Sequence, residues 1–192
     1  GCHNINFVTP THVTPMILEA LPMAIERGLN LPLVYNSSGY DKMSTLRLLN
    51  GVFDIYMPDF KFWEAEQAGR YMDAPDYPQH ARDALKEMHR QVGDLHVDEK
   101  GVAQRGLLVR HLVMPNGEAR TRGIMRFLRN ELSVDTYVNI MPQYRPCHEA
   151  LRFPLINRLP TKEEYREAIQ IAREEGIARL DRRERRFLFR WE

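Results

Sequence analysis

The sequence predicts an α/β fold with a parallel sheet, and three observations carry that expectation. Short β-rich runs alternate with segments of helical period along most of the chain, the pattern of strand–helix–strand crossovers. Two of these runs, 31–35 and 52–57, are nearly continuously apolar, as strands covered on both faces must be. Five runs end in polar clusters, where a parallel α/β sheet exposes the carboxyl ends of its strands.

The elements follow in order. The first run, 3–8, leads through Thr9-Pro10-Thr11-His12 into a helix over 14–27, where Ile17, Leu18, Leu21 and Ile25 share a face and Gly28 is the stop. Thr14 is the expected N-cap ahead of Pro15, and Pro22 is expected to kink or shorten this helix. The second run, 31–35, passes through Asn36-Ser37-Ser38-Gly39 into a short helix over 42–49, closed by Asn50-Gly51. The third, 52–57, passes through Pro58-Asp59-Phe60-Lys61 into a helix over 63–71. A loop with two prolines, 73–78, precedes a longer helix over 79–92, with Ala81, Leu85, Met88 and Val92 at helical spacing. A hairpin is expected next, 95–97 with 102–104, turning at Asp98-Glu99-Lys100-Gly101. The fourth run, 107–114, precedes a helix over 119–132, and the fifth, 136–141, ends in Pro142-Gln143-Tyr144-Arg145-Pro146. Thr161-Lys162-Glu163-Glu164 has the form of a capping box and opens a last helix that runs to Gly176.

A chain of 192 residues holds one sizeable core, with an α/β unit over 1–160 and a terminal helix and tail over 161–192. Five parallel strands are too few for an eight-stranded barrel of about 250 residues, so the sheet is open or its other strands lie elsewhere. The chain begins at Gly1 and enters an apolar run at once, so an upstream part is expected to have been removed. The first strand would then have a bare edge, and the chain is expected to self-associate through it. A net charge of +1 gives no reason to expect nucleic acid. The arginine-rich tail from Arg179 to Arg190 reads as a solvated helix face with Asp181 and Glu184 as partners. No apolar run approaches the roughly 18 residues that span a bilayer, and no export signal opens the chain. Two cysteines, Cys2 and Cys147, frame no disulfide scaffold, and a reducing cytoplasm is the expected compartment. They belong to no metal motif, and neither do the histidines.

Chemistry is expected at the strand ends: Thr9 to His12, Asn36 to Ser38, Asp59 with Lys61, Arg110 with His111, and Gln143 to Arg145. Asp59 and Lys61 flank Phe60 in a strand, so alternation puts both on one side. The lysine suits a carboxylate, the aspartate an amine, a ribose or a cation. A rim salt bridge accounts for the same two residues, and so does a Schiff-base lysine in an aldolase-like lyase. Arg110 and His111 are adjacent in a run, so one faces inward and the other packs against a helix. The remaining clusters suit helix entries and turns as well as ligand contacts.

Five stretches carry a resemblance: HNINFVTPTH at 3–12, LVYNSSGY at 33–40, DIYMPDFK at 54–61, RGLLVRHLVMP at 105–115 and YVNIMPQYRP at 137–146. In these the chain resembles the radical S-adenosylmethionine proteins of the pyruvate formate-lyase-activating-enzyme type, in order and through about residue 175. The resemblance implies a partial (β/α)₆ barrel, here about five βα units without the first strand. It implies an oxidoreductase that reductively cleaves S-adenosylmethionine at a 4Fe–4S cluster to a 5′-deoxyadenosyl radical. The expected target is a glycyl residue of a partner protein, or else a small molecule. The C-x-x-x-C-x-x-C loop that holds such a cluster is not in this sequence, so the chain alone is expected to be inactive and to bind no cofactor. Thr9-Pro10-Thr11 stands where the family has Gly-Gly-Glu, and Thr9 and Thr11 would have to meet the methionine amine. Asn36, Ser37, Ser38, Asp59 and Lys61 correspond to positions that place the ribose and carboxylate. Leu112, Val113 and Tyr144 would line the adenine. A docking module without catalysis, acting through the open edge and basic tail, is the rival from another class.

Overall fold

Five parallel strands lie side by side in the order in which the chain makes them, in a computed structural model that describes residues 1–181. They are β1 (Ile5–Val8), β2 (Leu33–Asn36), β3 (Ile55–Tyr56), β5 (Ala103–Leu112) and β6 (Tyr137–Met141), and the short β4 (His96–Val97) runs antiparallel beside the start of β5. After the last helix the chain returns to the sheet at Leu180, which bridges Val138 of β6 in parallel. Most of the arginine-rich tail, with Glu184, falls at 182–192, outside the described residues.

The helices are α1 (Thr14–Glu26), α2 (Met43–Leu48), α3 (Ala65–Met72), α4 (Tyr77–Val92), α5 (Thr121–Phe127) and α6 (Lys162–Glu174). Strand alternation divides the sheet into two faces. Leu33, Tyr35, Tyr56, Leu107, Val109, Val138 and Ile140 join one core with Leu21 of α1, Leu46 of α2, Leu85 of α4, Ile124 of α5 and Ala168 of α6. Val34 and Ile55, from the intervening positions, form a second small cluster with Leu95, bordered by Met57, Leu108 and Tyr137. The helices therefore share one face. Right-handed crossovers that always step in the same direction along a sheet have that result. The opposite face, termed the inner face, carries the small apolar cluster.

Several boundaries differ from expectation for identifiable reasons. Pro22 does not end α1, because it lies on the exposed side of the helix, where the carbonyl it leaves unpaired can meet water. Val13, not Thr14, occupies the N-cap of α1, and the Thr14 hydroxyl instead donates to the Pro10 carbonyl at 3.1 Å. The second leg of the hairpin and the fourth run are one strand, β5. Gly106 lets them join: it has φ +116°, and a Cβ there would stand 2.2 Å from the Asp94 carbonyl oxygen. The helix expected over 119–132 begins at Thr121 and widens after Phe127 into a π-helical turn (Leu128–Leu132). The capping box of α6 is present, with Glu164 N–H donating to Thr161 Oγ1 at 3.1 Å and Thr161 N–H to Glu164 Oε2 at 2.8 Å.

Among the described residues β1 pairs with β2 alone, so its outer edge carries no strand. No described helix is long and apolar enough to cross a membrane.

Candidate functional site

β3 does not stop at Tyr56 as a ladder. Asp59 N–H donates to the Ser37 carbonyl at 3.0 Å, Arg110 N–H to the Pro58 carbonyl at 2.9 Å, and Phe60 N–H to the Arg110 carbonyl at 2.8 Å. The segment thus stays in the sheet between the end of β2 and the middle of β5. Counting by twos from Ile55 and Leu108 places Met57, Asp59 and Arg110 on the inner face, above the small apolar cluster.

There the Asp59 carboxylate is held between two cations. Arg110 Nη2 lies 2.7 Å from Oδ1 and Lys61 Nζ 3.5 Å from Oδ2. The side chains of Asp59, Arg110 and Lys61 are 15%, 22% and 30% exposed, so the trio is largely withdrawn from water. The Arg110 contact is an ion pair without an aligned hydrogen bond, and both Asp59 Oδ1 and the buried Arg110 Nε lack a hydrogen-bond partner. Two cations around one carboxylate leave one net positive charge, which suits an anionic group. Asn36, buried at the end of β2, is placed by alternation on the same face, as is Asn139 of β6.

The rim is braced from behind by two buried groups. Asp41 accepts hydrogen bonds from Ser37 Oγ at 2.6 Å, Thr11 Oγ1 at 2.8 Å and the Tyr35 hydroxyl at 3.0 Å. Burial, aided by the Asp41 charge, pushes the Tyr35 hydroxyl up to about 12. The Tyr77 hydroxyl, in the first turn of α4, accepts from Lys61 N–H at 3.0 Å and faces the carbonyls of Ser38 at 3.0 Å and Asp59 at 3.1 Å. Gly39 (φ +79°) passes so close to this corner that a Cβ would stand 2.2 Å from the Asp59 carbonyl oxygen.

Of the ten residues expected to bind a cofactor, Asn36, Asp59 and Lys61 meet on this face, and Arg110 completes the group. Thr11 and Ser37 have their hydroxyls committed to Asp41. Ser38 Oγ accepts from Tyr40 N–H at 3.3 Å. Thr9 is exposed, in the left-handed region at φ 52°, and its N–H donates to the Asn36 carbonyl. Val113 lies in the helix-side core and Leu112 is half-buried beside it. The Tyr144 hydroxyl donates to the Ile156 carbonyl at 2.9 Å. His111 faces the helices, opposite Arg110. Its Nδ1 lies 2.9 Å from the Phe60 carbonyl, which only accepts, so Nδ1 carries the proton and Thr121 Oγ1 donates to Nε2 at 2.9 Å. Complete burial pushes this imidazole down to about 4.

Two clefts, of about 550 and 420 Å³, flank Trp63 among the helices, and neither is lined by Asp59, Lys61 or Arg110. Cys2 and Cys147 are free and exposed, and among the described residues no three His, Cys, Asp or Glu side chains are grouped to hold a metal ion.

No protein-family model matches the chain. It is similar to an uncharacterized protein of Methanocaldococcus jannaschii, with 35% identity over 170 residues, 88% of this chain and 46% of the relative. The chain thus spans about half the length of that relative.

Proposed function

We propose that this chain supplies the S-adenosylmethionine-binding face of a radical enzyme of the pyruvate formate-lyase-activating type, its sheet being most of a partial (β/α)₆ barrel. The observation that carries the reading is the trio of Asp59, Lys61 and Arg110 on the inner face, at the carboxyl ends of the strands. A sheet wound in one direction with all its helices outside supports the barrel. The residues fit the amino-acid end of the cofactor: Lys61 and Arg110 suit its carboxylate, Asp59 its amine, and Asn36 a ribose hydroxyl. They do not fit an iron–sulfur cluster, since the sequence has only two cysteines, too few for the three thiolates that such a cluster takes. The chain's own work is therefore to bind and orient the nucleoside. Its radical chemistry, and a glycyl or small-molecule target, belong to the whole protein.

Titration with S-adenosylmethionine, followed by amide chemical shifts, tests the reading. Without an iron chelate, binding is expected to be weak, and Lys61→Ala or Arg110→Ala should reduce it by about tenfold or more, the worth of one charge-assisted hydrogen bond. Micromolar affinity indifferent to both substitutions would sink the proposed site. Trapping of a carbonyl compound on Lys61 by borohydride would put the aldolase-like reading in its place.

A further inference from the structure

One hydroxyl group touches the backbone of three rim residues that are far from it in sequence. Tyr77 is fully buried at the start of α4, with its ring in the helix-side core. Its oxygen accepts from Lys61 N–H and shares its own proton between the carbonyls of Ser38 and Asp59. Ser38 follows β2, Asp59 and Lys61 follow β3, and the Gly39 backbone presses against Asp59 at the same corner. A phenyl ring in place of the phenol would fill the core as well. It would leave a buried N–H and two carbonyls without their common partner, and buried groups of that kind move to find another. Tyr40 stands against Tyr77 at 5.8 Å and is itself tied to Asp76 through its hydroxyl at 2.7 Å, so the solvent side of the corner is closed by a second aromatic ring.

We infer that Tyr77 is a positioning residue of the inner-face site: through its hydroxyl it fixes the backbone of Lys61 and Asp59, and so the geometry in which Lys61 meets a carboxylate ligand. This rests on the reading of that site as the S-adenosylmethionine face. Tyr77 touches no ligand. Its effect on a carboxylate ligand must pass through Lys61, and this separates it from a residue that merely holds α4 in place.

The test is a double-mutant cycle on the full chain, read as S-adenosylmethionine affinity by amide chemical shifts. Tyr77→Phe should weaken binding by about fivefold to tenfold, and in a Lys61→Ala background it should change affinity by less than about twofold. Met88→Ala, a cavity in the same helix at a buried residue that is no partner of the Tyr77 hydroxyl, should lower the melting temperature at least as far and leave affinity unchanged. Two results overturn the inference while the site stands: Tyr77→Phe binding like the parent, or Tyr77→Phe costing as much without Lys61 as with it. Absence of binding in the parent, or indifference to Lys61→Ala, overturns the site itself and the inference with it. Should Tyr77→Phe fail to fold, hydrogen exchange on the parent decides. The Lys61 amide, bonded to a buried hydroxyl, should exchange slowly and more slowly still with ligand, and exchange as fast as the exposed Asp98–Gly101 turn would refute the role.

Discussion

The strand-end rim is built in two ways. On the β2–β3–β5 side, Asp59 is flanked by Ser37 and Arg110 through backbone bonds, by Lys61 and Arg110 through charge, and from behind by Tyr77. On the β1 side, Thr9 hangs from one N–H bond to Asn36, holds a left-handed backbone that a β-branched residue rarely adopts, and stands next to Val8, which is 67% exposed. The difference shows where geometry matters in this molecule. The charged groups of Asp59, Lys61 and Arg110 are fixed from several directions, whereas the edge strand is held by the sheet on one side.

The sharpest way to break the braced side is Gly39→Ala. The substitution meets an unfavourable φ and the backbone oxygen of Asp59 at once, so neither neighbour is a flexible side chain that could yield. A loss of more than about 3 kcal/mol is expected, seen as a fall in melting temperature of roughly 10 °C. A variant melting within a degree or two of the parent would mean that this corner is pliable.

The second prediction concerns His111, on the helix side of β5. Its folded-state pKa of about 4 lies below the ordinary value, so between the two the unfolded chain binds more protons. Stability should be level above about pH 6.5 and decline as pH falls toward 4, by up to about 3 kcal/mol. Glu87 and Glu164, held near 2 by hydrogen bonds from Arg90 and Arg158, lose their contributions only from about pH 4.5 downward, so the upper part of the window isolates the histidine. Denaturant unfolding of the parent and of His111→Gln at pH 7 and pH 5 checks this, and equal declines in both would reject His111 as the source.

The smallest effect on stability is expected at the edge. Phe7 is a poor probe because it packs edge-on against Phe53 at 5.6 Å, but Val8 is exposed at the end of β1. If copies of the chain associate through the bare edge, Val8→Lys should shift light scattering toward monomer while changing stability by less than about 0.5 kcal/mol. A parent that is already monomeric at high concentration would remove the edge from consideration.

The sheet was legible because the change from a β-rich run to a segment of helical period is local: each strand and most helices can be read within a short stretch of chain. Asp59 and Lys61 were legible for the same reason, since two residues apart on a strand means one face. The pairing of Arg110 with Asp59 was not. It depends on the register between β3 and β5, which no local pattern states. Thr11 and Ser37 show another contact that the sequence does not state. Small hydroxyl residues at strand ends suit a ligand, but these two turn toward Asp41, whose burial nothing in its neighbourhood announces. Tyr77 reads as one more apolar residue at the start of a helix, and its role lies in contacts 16, 18 and 39 residues away.

The order of the strands bears on how the chain acquires its fold. Each parallel strand docks beside the parallel strand made before it, and none inserts between two earlier parallel strands. The closures from β1 to β2, β2 to β3 and β5 to β6 each span one α-helix, while that from β3 to β5 spans α3, α4 and β4. Closure entropy grows only slowly with loop length, so its cost is still met in comparable instalments. Synthesis from β1 toward β6 would always present the next parallel strand to a finished edge. Folding should then advance in the direction of synthesis, with the helix face sealing unit by unit and the β6 edge remaining open until Leu180 arrives.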